Sequence, residues 1–204
     1  MSGDTHQSTV VNGRTADAPV DPQFLDRWSP RALSPEPLDE VTIRSLFEAA
    51  RWAPSAGNEQ PWIYIYATSP EDRAHFLEIL DESNRTWVKT APMIAFLIAR
   101  LTIAKNGRPN RLAKFDTGSS WMSLALQARK LGIFAHAMAG FDTDKAHDTL
   151  HVPREGYEVM AAIAIGKYGN PEDLSEYNRG REKPNARKHS SEFVFQTRLP
   201  EPGT

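Results

Sequence analysis

The chain contains no cysteine. That absence excludes disulfide scaffolds, thiolate nucleophiles, Cys-ligated zinc and iron–sulfur clusters. It is compatible with a cytoplasmic protein, the location expected here. An excess of charge of one sign is also lacking. With 24 Lys and Arg against 26 Asp and Glu, the formal net charge is −2. Neither nucleic acid nor an anionic membrane surface is therefore expected as a partner, and any basic site must be local. Long apolar runs are missing too. The most apolar window, APMIAFLIARLTIA (residues 91–104), is interrupted by Arg100 and is too short to span a bilayer. It reads as a buried strand. Residues 1–23 have no basic stretch followed by an apolar one, so no secretory signal is expected. Their Ser, Thr, Asp, Gly and Pro predict a flexible leader.

Familiar motifs are absent as well. Without G-x-G-x-x-G or G-x-x-x-x-G-K-[ST], neither a Rossmann nor a P-loop nucleotide site is expected. G-x-S-x-G and H-E-x-x-H are also missing. His147 and His151 stand four apart on a predicted helix, which is a metal-ligand spacing. No third ligand lies near them in sequence, so no metal site is expected. Neither repeats nor a linker divide the chain.

What remains predicts one domain over residues 24–196, between the leader (1–23) and a flexible tail (197–204). Leu38, Val41, Ile43, Leu46, Phe47 and Ala50 recur at mostly helical spacing, with Asp39 as the cap. SPEDRAHFLEIL opens a second helix, with Ser69 as N-cap and Pro70 in its first turn. The longest helix should run over residues 112–131 and end at Gly132. Its small residues suit close helix packing. DTDKAHDTLHV predicts a short helix capped by Asp142. Strands are predicted at residues 62–67, 92–99, 133–141 and 157–166. EFVFQ (residues 192–196) is a further strand-like piece that needs a partner. Alternating helices and strands around one sheet place the chain in the α/β or α+β class.

Two stretches carry chemistry. RWSPRA (residues 27–32) has the spacing Arg-x-Ser-x-Arg, and arginine forks with a hydroxyl are good phosphate ligands. Near the other end, Arg179, Arg181, Lys183, Arg187 and Lys188 form a second basic cluster. Either group alone suits a solvated loop; together they invite a common anion. AARWAPSAGNEQPW (residues 49–62) links a helix to a strand through small and amide-bearing residues. Its backbone and its Ser and Asn groups suit the hydrogen-bonding edge of a flat heterocycle, with Trp52 and Trp62 as packed anchors.

In their order, RWSPRAL, EAARWAPSAGNEQPWIYIYA, LQARKLGIFAHAMAGFD, EVMAAIAIGKYGNPEDL and ARKHSSEFVF resemble landmarks of the FMN-dependent nitroreductase family over about residues 24–195. Two departures stand out. Trp28 replaces a frequent second arginine, and RKHSSE stands where the family often has Arg-Lys-Pro-Leu-x-Glu.

The resemblance implies an α+β fold: a three-layer α/β/α sandwich with a central mixed, mostly antiparallel sheet, in an intertwined homodimer. The C-terminal strand would cross to the partner. The cofactor implied is FMN, with NADH or NADPH as co-substrate and a small-molecule electron acceptor. The implied activity takes hydride from NAD(P)H and reduces nitroaromatics, quinones or related electrophiles by a ping-pong mechanism. Dehalogenation, flavin fragmentation, azoline oxidation and flavin binding without turnover are the alternatives. No catalytic side chain is expected, because the flavin carries the chemistry.

Cofactor-binding residues are carried over by motif. Arg27 and Ser29, with Trp28 between them, fall at the ribityl phosphate, and Arg31 falls at the pyrimidine edge. Pro54, Ser55, Ala56 and Asn58 would line the ring from the other subunit. Ala137, Met138, Ala139 and Gly140 would present backbone to N5, and Arg187 and Lys188 would close on the phosphate.

Overall fold

The computed structural model describes residues 12–200. Helix starts follow from side chains that satisfy otherwise orphaned N–H groups. Asp21 accepts from the Gln23 amide and opens α1 (Pro22–Asp26). Asp39 does the same from Thr42 at 2.7 Å for α2 (Glu40–Arg51). A 3-10 turn at Ala56–Asn58 leads to β1 (Trp62–Ala67). Ser69 caps α3 (Pro70–Ile79), and Pro70 sits where its missing N–H costs nothing. Then come α4 (Glu82–Val88), β2 (Met93–Arg100), α5 (Ala113–Lys130) and β3 (Ile133–Met138). Gly132 follows α5 at φ 76°, a left-handed position that favours glycine. Asp142 caps α6 (Thr143–Thr149), β4 spans Tyr157–Lys167, and α7 is Glu176–Arg179.

The sheet order is β1-β2-β4-β3, and every neighbouring pair is antiparallel. β2 lies inside the sheet and is buried on both faces, which is why its sequence is continuously apolar. Its side chains alternate between two cores. Ile94, Phe96 and Ile98 pack with Phe76, Ile79, Trp87 and Val88 of α3 and α4. Met93, Ala95 and Leu97 pack with Ile43, Leu46 and Ala50 of α2 and with Leu124 and Ala128 of α5. Helices therefore cover both faces, in three layers. No helix among the described residues is long and apolar enough to cross a membrane.

The four strands of this chain pair antiparallel throughout, in keeping with an α+β fold whose sheet is mostly antiparallel. One expectation is corrected. β3 stops at Met138, because the next residues turn towards α4: the Gly140 carbonyl accepts from the Asp81 amide and from Asn84 Nδ2. EFVFQ, expected to pair only with a second copy, is not a strand in this single chain. A 3-10 turn occupies Ser190–Glu192, and Phe193, Val194 and Phe195 beyond it are exposed.

Candidate functional site

The arginine loop follows α1 and is fixed from three sides. A bridge pairs Leu33 with Tyr168, and the amide of Gly169 donates to the Ala32 carbonyl at 2.9 Å. A Cβ on Gly169 would meet the Ser34 nitrogen at 2.8 Å and the Leu33 carbonyl carbon at 2.9 Å, so only glycine permits this approach. On a second side, the Glu182 carboxylate accepts from the amides of Arg31 and Ala32 at 2.9–3.0 Å. On the third, His136 Nδ1 lies 2.9 Å from the Pro30 carbonyl. A carbonyl only accepts, so Nδ1 carries the proton. The His136 ring lies 4.6 Å from that of Trp87, centroid to centroid. Burial pushes the His136 pKa down to about 4, helped by Arg31, Arg181 and Arg27 against the Pro30 bond. The ring is neutral at pH 7.

The loop lines two cavities that share Arg27, Ser29 and Arg187. The larger, about 480 Å³, is lined by Arg27, Ser29, Ala137 and Arg187, with Phe24, Trp121 and Met122. The smaller, about 140 Å³, adds Arg14, Trp28, Arg31, Arg181, Lys183, Asn185 and His136 to these three. Six cationic side chains thus line one small cavity. Burial first, and then Arg187, lowers the Arg27 pKa. Burial, Arg187 and Arg27 lower that of Arg14. Burial and Arg181 lower that of Arg31, while Glu182 and Tyr177 raise it. Guanidinium groups stay charged at these shifts, so the cluster holds mutually repelling positive charge. A polyvalent anion relieves that repulsion, and the forked N–H groups match a phosphate.

The structure thus brings together Arg27, Trp28, Ser29, Arg31, Ala137 and Arg187 of the residues assigned from sequence. Trp28 lines the smaller cavity while its ring packs edge-on against Phe134 and tilted against Tyr168. Met138 is buried in the core on the α3 and α4 face. Ala139 is exposed, and Gly140 spends its carbonyl on α4. Lys188 lines a neighbouring cavity formed by residues 12–25 and 184–193 rather than the arginine cavity. His147 Nδ1 pairs with the Val152 carbonyl at 2.9 Å.

Pro54, Ser55, Ala56 and Asn58 lie outside both cavities of this chain. Their turn is rigid. Buried Asp116 of α5 accepts from the Ala56 amide at 3.1 Å, and Ser55 Oγ accepts from the Gln60 amide at 3.0 Å. Arg100 holds the Glu59 carbonyl at 2.9 Å. Pro54, Ala56 and Asn58 are left exposed, Asn58 at φ 55°. Trp62 packs on the α2 and α5 core, as a packed anchor should. Trp52 does not: it is 73% exposed, donates to Glu48 at 2.8 Å and stacks under Arg51.

Sequence reasoning missed Arg14 and Glu182, and it noted Arg181 and Lys183 only as part of a basic run. Arg14 sits in residues read as leader, where nothing in composition marks it. Glu182 binds backbone amides, a role that has no sequence pattern.

The model of the nitroreductase family matches residues 25–85 and 73–167. A Streptomyces coelicolor protein bearing the provisional name NADH dehydrogenase/NAD(P)H nitroreductase is 29% identical over 167 residues, covering 72% of this chain and 82% of that protein. The CLA biosynthesis enone reductase of Lactiplantibacillus plantarum is 26% identical over 194 residues, covering 78% of this chain and 87% of the reductase. Among solved structures, one described as an oxidoreductase containing FMN superposes with a TM-score of 0.89 at 40% identity, covering 94% of this chain and 98% of that one. A nitroreductase-fold structure from Desulfovibrio desulfuricans, in complex with FMN, superposes at 0.68 with 19% identity, covering 87% of this chain and 96% of its own, which speaks to the fold alone. The family match spans most of the folded chain, including the arginine loop, the sheet and the residues around Ala137, and so this chain belongs to the nitroreductase family.

Proposed function

We propose that the chain is an FMN-dependent oxidoreductase that takes hydride from NADH or NADPH and reduces small electrophilic acceptors, working as a homodimer. The observation that carries this is the convergence of Arg27, Ser29 and Arg187 on a cavity walled by Ala137. The residues fit the cofactor. Repelling, part-buried cations demand a polyvalent anion, and FMN ends in a phosphate dianion.

In this reading Arg27, Ser29 and Arg187 hold the phosphate, and Lys188 adds positive charge from the neighbouring cavity. Arg31 supplies a fixed cation at the pyrimidine edge, where negative charge develops on reduction. Ala137, Ala139 and Gly140 offer backbone along the ring. Pro54, Ala56 and Asn58 of a second copy, presented by a rigid turn, cover the other face. Bound FMN supplies the two-electron hydride chemistry between donor and acceptor. The protein's part is to stack each substrate in turn on one face and to exclude bulk water. One shared site gives ping-pong kinetics. His136 is neutral and its Nδ1 proton is committed to Pro30, so protons come from solvent.

Nitroaromatics and quinones are the acceptors proposed. The enone reductase among the relatives adds conjugated enones as a second class. The test is the visible spectrum of the purified protein. It should be yellow, bleach anaerobically with NADH or NADPH, and recolour with a nitroaromatic, a quinone or an enone. Protein that binds no FMN overturns the reading. Protein whose bound FMN is not bleached by either nucleotide is a flavin-binding protein without this turnover.

A further inference from the structure

The cation cluster includes a residue that lies upstream of the family-matched region. Arg14 reaches the cavity from residues 12–17, which cross the arginine loop and the C-terminal segment. Asn12 Oδ1 accepts from the Arg14 amide at 3.0 Å, and Asn12 Nδ2 donates to the Leu25 carbonyl at 3.0 Å. The Arg14 guanidinium then donates three ways: to Leu25 O at 3.0 Å, to Arg27 O at 2.7 Å and to Asn185 O at 2.9 Å. Further along, Asp17 Oδ2 accepts from the Ser190 amide at 3.0 Å and lies 3.2 Å from His189 Nδ1.

These contacts fasten two pieces of chain that would otherwise drift apart. Arg27 lies on the loop after α1. Arg187 lies on an exposed segment that is held to the loop at its other end by Glu182. Their guanidinium groups repel each other, and residues 183–189 have no helix or strand to hold them. Arg14 bonds the carbonyl of Arg27 itself and that of Asn185, two residues before Arg187. A planar fork can bind carbonyls on both sides at once, which a lysine ammonium does less well.

We propose that Arg14 is a positioning residue for the phosphate of FMN, stapling the Arg187 segment to the Arg27 loop so that both arginines meet one anion. The inference rests on the FMN reading above. It places specificity for the phosphorylated flavin partly in an N-terminal strap, residues 12–17, outside the region that matches the family.

The test compares FMN with riboflavin, which lacks the phosphate, by fluorescence titration of protein freed of flavin. Arg14→Ala should weaken FMN at least tenfold and leave riboflavin within about twofold. Arg14→Lys keeps the charge but not the fork, and should stay at least about fivefold weak. Asp17→Asn loosens the far end of the strap and should weaken FMN about threefold, with riboflavin unchanged; it serves if Arg14→Ala does not fold. Unchanged FMN affinity in Arg14→Ala, or equal losses for both flavins, overturns the inference. Full rescue by Arg14→Lys overturns positioning in favour of charge alone. Unmodified protein that binds neither flavin overturns the FMN reading, and this inference with it. Unmodified protein that binds FMN beside an equally competent Arg14→Ala overturns this inference alone.

Discussion

His136 shows what burial does to a single ionisable group. Its pKa in the fold is about 4, against an ordinary 6.5. Between these values the unfolded chain binds a proton that the folded chain refuses, so stability rises with pH across that window and is lost as pH falls through it. A shift of this size is worth about 3 kcal/mol. Urea unfolding at pH 7 and pH 4 should therefore show the natural chain losing about 3 kcal/mol more than His136→Gln, whose amide can still donate to Pro30. Equal losses in the two proteins would mean that His136 is not held neutral. Other residues were readable from sequence to different degrees. Arg27 and Ser29, which line the cavity, are marked by the Arg-x-Ser-x-Arg spacing, and Arg187 by its basic run and the family resemblance. Trp28 lines the smaller cavity with its neighbours, but its ring is also anchored on Phe134 and Tyr168, contacts that no local spacing shows. Trp52 misleads: its indole N–H is served by Glu48, one helical turn back, so the ring stays at the surface.

At the scale of elements, legibility follows length and local chemistry. Caps at Asp39, Ser69 and Asp142 are local hydrogen bonds, and the sequence states them directly. The buried run of β2 is equally plain. The short helices α1, α4 and α7 complete too few turns to show a periodicity, and packing decides them. The end of β3 depends on Asp81 and Asn84, far away in sequence, so no local pattern could place it. Glycines mark such long-range constraints imperfectly. Gly169 looks like an ordinary turn residue, yet its Cα hydrogens face the backbone of Ser34 and Leu33. Backbone cannot swing aside as a side chain does. Gly169→Ala should therefore cost about 1–3 kcal/mol and displace the arginine loop, measured as a lower urea midpoint together with weaker FMN retention. A midpoint within error of the natural chain would show that the loop tolerates the added methyl group.

For the whole molecule, the telling fact is how the expected site is divided. The cationic half gathers on one chain around Arg27 and Arg187, while the turn carrying Pro54, Ala56 and Asn58 lies outside both of its cavities. A rigid, exposed turn held by Asp116 and Arg100 has the build of a contact surface rather than of a mobile loop. The chain also leaves Phe115, Phe193 and Val194 more than 60% exposed. Apolar area of that kind is covered at a worth of roughly 25 cal/mol per Å². If a second copy covers it and brings the missing turn, assembly and cofactor binding are one equilibrium. We predict that Phe193→Asp with Phe195→Asp shifts the protein from dimer to monomer in sedimentation velocity. FMN affinity should fall by at least tenfold, the loss expected when one face of the ring goes uncovered. Raising protein concentration should restore dimer and flavin binding together in the variant. A monomeric variant that keeps full FMN affinity would place the entire site within one chain and leave the turn at residues 54–58 without a part in it.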